Sequence, residues 1–186
     1  MRTLAITQNM TIDGVIDLSD DWFATADVAD DQADVLEAIH EQDSRSDALL
    51  VGRRTFEDFR GYWPLQTDDE SGITAQLNAV TKYVISSTLT DPQWQNSVIL
   101  SGPVVEEVTA LKEAEGTDIV CTGSIQLTHE LLRSGLVDEL RLFVFPVVVG
   151  RGRRLVPDDV ALPALDLIEN RAFRSGITLQ SYRVRR

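Results

Sequence analysis

The segment from Asp118 to Gly152 opens with IVCTGS at Ile119 to Ser124, passes through a helix-like stretch, and closes with LVDELRLFVFPVVVGRG at Leu136 to Gly152. A β-branched run that stops at Gly123-Ser124 and gives way to helical spacing reads as a strand-to-helix turn. Glycine there lets the backbone approach a ligand, and the helix that follows offers free N–H groups to an anion. Two readings stand side by side: a turn that only needs a glycine, and a place that holds a phosphate. Leu127, Leu131 and Leu132 mark the inward face of the helix, and Gly135 stops it. Glu139 to Val149 is β-rich and apolar but interrupted by Pro146, so it belongs where one ladder bond can be lost, or at a bulge.

Working outward, the same order of elements recurs. Asp47 to Gly52 (DALLVG) is a short buried strand, and Arg53 to Phe59 continues as a helix ended by Tyr62-Trp63-Pro64. Gly52, Arg53, Arg54 and Thr55 make a second anion-site candidate, in which the arginines add fixed positive charge to a helix N-terminus. Lys82 to Ser86 (KYVIS) is a third strand, closing on the hydroxyls of Ser86, Ser87 and Thr88, which form either a polar loop or a set of donors to a phosphate or ribose. Residues 2–8 read as an N-terminal strand left at Asn9, with a turn at Asp13-Gly14 and an apolar pair at Val15-Ile16. Trp22 and Phe23 sit in an acidic loop, as a staple onto the core or part of a lid.

Helical spacing runs from Asp30 to Gln42, capped by Asp30 or Asp31, with His40 on its solvated face. Shorter helices are expected over Ser71 to Val80 and Val104 to Glu115, and a brief strand at Val98 to Leu100. Leu165 to Phe173 and Ile177 to Val184 form an antiparallel hairpin around Ser175-Gly176. Strands alternating with helices, then a hairpin, predict one α/β domain over residues 1–186. It is a three-layer α/β/α arrangement whose mixed sheet is mostly parallel with an antiparallel C-terminal hairpin. Gly52, Ser86 and Gly123 then fall on one sheet edge, where open α/β sheets bind ligands.

Composition narrows the function. Hydrophobic residues make 43% and charged residues 25% of 186, the balance of a soluble globular domain. A formal net charge of −13 argues against nucleic acid and membrane surfaces as partners, while local arginines still permit a small anionic ligand. One cysteine, Cys121, and two histidines, His40 and His129, give no zinc spacing and predict a metal-free site. No apolar run approaches a membrane span and the N-terminus turns polar too soon for a signal peptide, so the cytoplasm is the expected compartment.

The motifs together resemble the dihydrofolate reductase superfamily, and most closely its branch similar to the reductase domain of the bacterial riboflavin-biosynthesis deaminase/reductase. The resemblance rests on Asp13-Gly14, LLVGRRTFEDF at Leu49 to Phe59, VISSTL at Val84 to Leu89, TGS at Thr122 to Ser124, and LLRSGLVDEL with PVVVGRG between Leu131 and Gly152. It implies NADPH along the sheet edge: Gly52 to Thr55 at the cofactor phosphates, Ser86 to Thr88 toward the adenosine 2′-phosphate, and Gly123, Ser124 and Ile125 at the pyrophosphate. It further implies a reductase passing a hydride to a small heterocyclic or imine substrate, related to 5-amino-6-(5-phosphoribosylamino)uracil reductase. Thr122 departs from the glutamate, and Phe59 from the aspartate, that riboflavin-type reductases carry.

Loop position places Asp13, Ile16, Trp22 and Phe56 at the substrate, with Asp13 the one catalytic candidate. A true dihydrofolate reductase is the alternative. It would need a carboxylate near the first helix, where Asp27, Asp30, Asp31 and Asp34 stand without distinction. A non-catalytic nucleotide-binding domain on the same fold is a third reading. The apolar run Leu140 to Val149 is longer than an exposed edge tolerates, so a homodimer is expected to cover it.

Overall fold

A computed structural model describes residues 1–18, 22–25 and 32–185. Its centre is an eight-stranded sheet in the order β4-β3-β2-β5-β1-β6-β8-β7. The strands are β1 (Leu4–Thr11), β2 (Ser46–Gly52), β3 (Thr81–Ile85), β4 (Ser97–Leu100), β5 (Asp118–Thr122), β6 (Glu139–Phe145), β7 (Leu165–Ala172) and β8 (Thr178–Val184). Neighbours from β4 through β6 pair in parallel, whereas β8 runs antiparallel to both β6 and β7 and is inserted between them. The expected mixed sheet and terminal hairpin are both present.

The helices are α1 (Trp22–Thr25), α2 (Ala33–Asp43), α3 (Arg53–Tyr62), α4 (Ile73–Ala79), α5 (Val104–Glu113) and α6 (Ile125–Arg133). Alternation along the strands decides which helix covers which face. Leu4, Ile6, Leu50, Ile119, Cys121, Leu140 and Leu142 face α5 and α6, where Val108, Leu111, Leu127 and Leu131 complete the largest core. The opposite face carries two separate clusters. Trp22, Val35 and Ala38 cover Phe143, Phe145 and Leu179 at one end, while Phe56 and Trp94 cover Leu49, Val51 and Val84 at the other. Each fully buried Leu or Phe side chain stabilises the fold by roughly 1.5–3 kcal/mol. Among the described residues, neither cluster includes Thr7 of β1 or Thr122 of β5, which lie half-buried between them.

Three expectations change. β1 extends to Thr11 instead of ending before Asn9, because Gln8 to Thr11 continue the ladder with Leu142 to Phe145 of β6 after the pairing with β5 has ended at Thr7. β6 stops at Phe145, not Val149: Pro146 has no N–H to give the ladder, and the Val147 N–H turns back to the Phe145 carbonyl at 2.7 Å. β6 is also interior to the sheet, so Leu140, Leu142, Phe143 and Phe145 are only 2–5% exposed and are covered within the chain. The edge argument for a second subunit falls with that placement.

Trp22 acts as the staple, buried against Phe145 with its indole N–H on the Asp17 carbonyl at 2.7 Å. The helix cap assigned to Asp30 or Asp31 falls outside the described residues. Among the described residues no helix is long and apolar enough to cross a membrane, and no group of acidic, histidine or cysteine side chains is set to hold a metal ion.

Candidate functional site

β2 and β5 are neighbours in the sheet, and each runs straight into a helix, α3 after Gly52 and α6 after Ser124. The two turns are joined by one bond: the Gly52 N–H donates to the Ser124 hydroxyl at 2.9 Å. Gly123 holds a left-handed φ of +66°, and a Cβ built on it would lie 2.9 Å from the Thr55 methyl. Both the backbone angle and the close approach of α3 therefore require glycine here. Gly52, Thr55, Gly123 and Ser124, called from separate stretches of sequence, meet in this seam.

The seam divides those residues by what they have left to offer. Ser124 is buried and its hydroxyl is occupied by Gly52, while Ile125 turns into the main core. Neither α3 nor α6 has a side-chain cap or an acidic residue in its first turn, so both helix N-termini keep their positive ends uncompensated. They flank the sheet edge from opposite faces, since Phe56 of α3 and Leu127 of α6 belong to cores on opposite sides.

Arg53 and Arg54 are both exposed. Arg53 pairs with Glu57 one turn on at 3.3 Å, whereas Arg54 makes no side-chain bond among the described residues. On the next strand, the Ser86 hydroxyl accepts the N–H groups of Thr88 and Leu89 at 3.2 and 3.0 Å and shapes the turn, leaving Ser87 and Thr88 open to solvent.

The four residues placed at the substrate do not converge. Ile16 lies in the α5/α6 core, Trp22 in the Phe145 cluster and Phe56 in the Trp94 cluster, all 4% exposed or less. The Asp13 carboxylate accepts the Thr11 hydroxyl at 2.7 Å and the N–H groups of Val149 and Gly150 at 3.2 and 2.8 Å. Hydrogen bonds from Thr11 and then Gly150 lower its pKa to about 2, so it is ionised at neutral pH and ties the loop after β1 to the loop after β6. That is the chemistry of an anchor. Asp34 is likewise engaged by the Arg174 N–H and the Val35 N–H, both at 3.0 Å, and Asp27, Asp30 and Asp31 lie outside the described residues.

Sequence reading passed over Thr7 and Asn9, and took Thr122 only as a departure from the family's glutamate. Thr7 pairs with Thr122 across β1 and β5, and alternation turns all three away from the Ile6/Cys121 core. They form a half-buried polar strip in the gap between the two apolar clusters, with Thr55 and Phe59 of α3 beside Gly123 at its upper end. Its signal was visible: hydrophilic residues at alternate positions in a strand whose other face is core.

The model of the RibD C-terminal domain family matches residues 2–179. The chain belongs to that family. As the motifs implied, it is a RibD C-terminal-type domain on a dihydrofolate reductase-like fold. It is 33% identical over 133 residues to the uncharacterized protein YyaP of Bacillus subtilis, spanning 70% of each chain. Its fold is similar to that of a putative riboflavin biosynthesis protein from Shewanella sp. PV-4, with a TM-score of 0.70, 20% identity and 99% of both chains covered. It is also similar to dihydrofolate reductase from Enterococcus faecalis in complex with NADP(H) and RAB-propyl, with a TM-score of 0.61, 17% identity, and 99% of this chain and 97% of that one covered.

Proposed function

We propose that this domain is a cytoplasmic NADPH-dependent reductase that passes a hydride to a small neutral heterocycle or imine. The observation that carries the reading is the seam between Gly52 and Ser124, which sets two uncapped helix N-termini side by side at the sheet edge with Arg54 free beside them. An extended diphosphate with a further phosphate fits that pattern of donors better than a single small anion does. A dihydronicotinamide bound along this edge supplies the hydride.

The protein's own contribution is to bind, orient and exclude water. The first-turn N–H groups of α3, with those of α6 beyond Ile125, whose own N–H donates to the Gly123 carbonyl at 3.1 Å, would hold the diphosphate, and Arg54 with Arg53 would take the additional phosphate by paired hydrogen bonds. Thr7, Asn9 and Thr122 line the adjoining strip with hydroxyl and amide groups, which suit a neutral ring carrying its own N–H and C=O groups. Thr122 in place of a glutamate keeps this floor uncharged, so a substrate recognised through a fixed positive charge is disfavoured.

The test is a fluorescence titration of ligand-free protein. NADPH is expected to bind with quenching or enhancement of its emission, and Arg53→Ala combined with Arg54→Ala to weaken NADPH by about 10- to 100-fold while changing NADH much less, since each lost charged bond is worth roughly 1.5–3 kcal/mol. Equal weakening of both cofactors would remove the arginines from the phosphate site, and no binding at all would leave the non-catalytic reading.

The homodimer is retained as a proposal on a smaller surface than β6. Ile12 and Val148 stand next to each other at the sheet edge, 61% and 67% exposed, with the Ile12 N–H on the Val147 carbonyl at 2.9 Å. Light scattering is expected to return twice the 20.7 kDa chain mass, and a mass of one chain would end the proposal.

A further inference from the structure

At the opposite edge of the sheet, where the parallel strands begin, a groove of about 450 Å3 lies between the end of α2 and β6 to β8. Glu41 and Arg45 line it from the α2 side, Glu139 and Arg141 from β6, and Glu169 and Arg171 from β7. Its formal charges cancel, yet its hydrogen-bonding groups do not.

Every carboxylate on the groove is met. Glu41 accepts from Arg171 at 2.6 Å, a bond that holds its carboxyl below the usual range with Arg45 adding positive charge. Glu169 accepts from Arg171 at 3.0 Å and from the Ser181 hydroxyl at 3.3 Å. Glu139 accepts from Arg141 at 2.9 Å and from Arg183 at 3.5 Å.

The groups left over are all donors. Arg141 is 2% exposed; its Nη2 and Nε serve Asp118 and Glu139, but Nη1 has no acceptor. The Arg45 guanidinium makes no side-chain hydrogen bond among the described residues. A site in which acceptors are satisfied and buried donors are not calls for an acceptor from outside.

We propose that this groove is a second ligand site, which takes a small molecule by a carboxylate held between Arg45 and Arg141 on its inner wall. A planar carboxylate matches a guanidinium by two parallel bonds. One negative charge is also the most the groove tolerates, because a dianion meets Glu41, Glu139 and Glu169 with no net positive field to offset them. The site is separate from the cofactor edge, at the other end of the same strands.

The experiment is an NMR titration of the uniformly 15N-labelled chain with sodium acetate, against sodium chloride at matched ionic strength. Saturable shifts are expected at the Arg45 and Ser181 amides and at the Arg141 Nε–H, with inorganic phosphate binding more weakly than acetate. Arg45→Ala, an exposed position, is expected to weaken acetate about tenfold, the loss of one charged hydrogen bond, and Arg45→Lys to recover part of it. The proposal is overturned by shifts confined to Gly52–Thr55 and Gly123–Ile125, by an absence of saturation, or by an unchanged Arg45→Ala. Phosphate binding tighter than acetate overturns the carboxylate class.

Discussion

Two halves of one sheet edge use the same kinds of residue to opposite ends. Over β2, β5 and β3, the loops contribute a few internal bonds, Gly52 to Ser124, Ile125 to Gly123, and Thr88 and Leu89 to Ser86, and keep the first turn of α3, Arg54 and Ser87 unspent. Over β1 and β6, the loops bind each other. Asp13 holds Val149 and Gly150, the Ile16 N–H reaches the Arg153 carbonyl at 3.0 Å, the Leu155 N–H reaches the Gly14 carbonyl at 2.9 Å, and Arg153 pairs with Asp17 at 2.6 Å. The difference teaches that a polar loop at a strand end becomes a ligand site only where its hydrogen-bonding capacity is left over after the fold is closed.

The sharpest way to break the comparison is Gly123→Val. A β-branched residue at positive φ, with its Cβ against Thr55, separates α3 from α6 and takes both stability and the cofactor edge with it. The expected loss is about 2–4 kcal/mol in urea unfolding, from backbone strain plus the displaced contact, together with loss of measurable NADPH binding. Full NADPH affinity in a folded Gly123→Val chain would show that the seam does not shape the site. The paired arginine substitution comes next, because it removes unspent groups without touching the seam, and so should leave the unfolding curve within about 0.5 kcal/mol of the parent.

The smallest expected effect at neutral pH tests the other half. Asp13 is lowered from 3.8 to about 2 in the folded state, so its contribution is complete above the unfolded value and is lost as pH falls toward 2. Asp13→Asn keeps an acceptor but not the charge. It should flatten the acid limb of the stability curve between about pH 4 and 2, and speed amide exchange at Val149 and Gly150. An unchanged acid limb would mean that the clasp does not depend on that carboxylate.

How much of this was legible follows the same division. The strand-helix alternation, the antiparallel hairpin and the three strand-end loops at Gly52, Ser86 and Gly123 were readable, because glycine placement and apolar spacing are local properties of the chain. The role of Ser124 was not, since a hydroxyl's partner is chosen by a residue 72 positions away. The placement of Ile16, Trp22 and Phe56 was not legible for a related reason: they are apolar residues near neighbouring loops, and burial sent each to a different core. Thr7, Asn9 and Thr122 were present as alternating polar residues, but their meaning depends on the gap between two clusters that only the packed helices define.

The insertion of β8 between β6 and β7 sets a schedule for biosynthesis. As the chain leaves the ribosome, β7 emerges with no strand to pair with, and β6 has β1 on one side only. Both wait for Thr178–Val184, the last strand of the sheet to be made. Until then the Phe143, Phe145 and Leu179 core cannot close, and a nascent chain stalled before Thr178 would hold an open sheet for chaperones to guard.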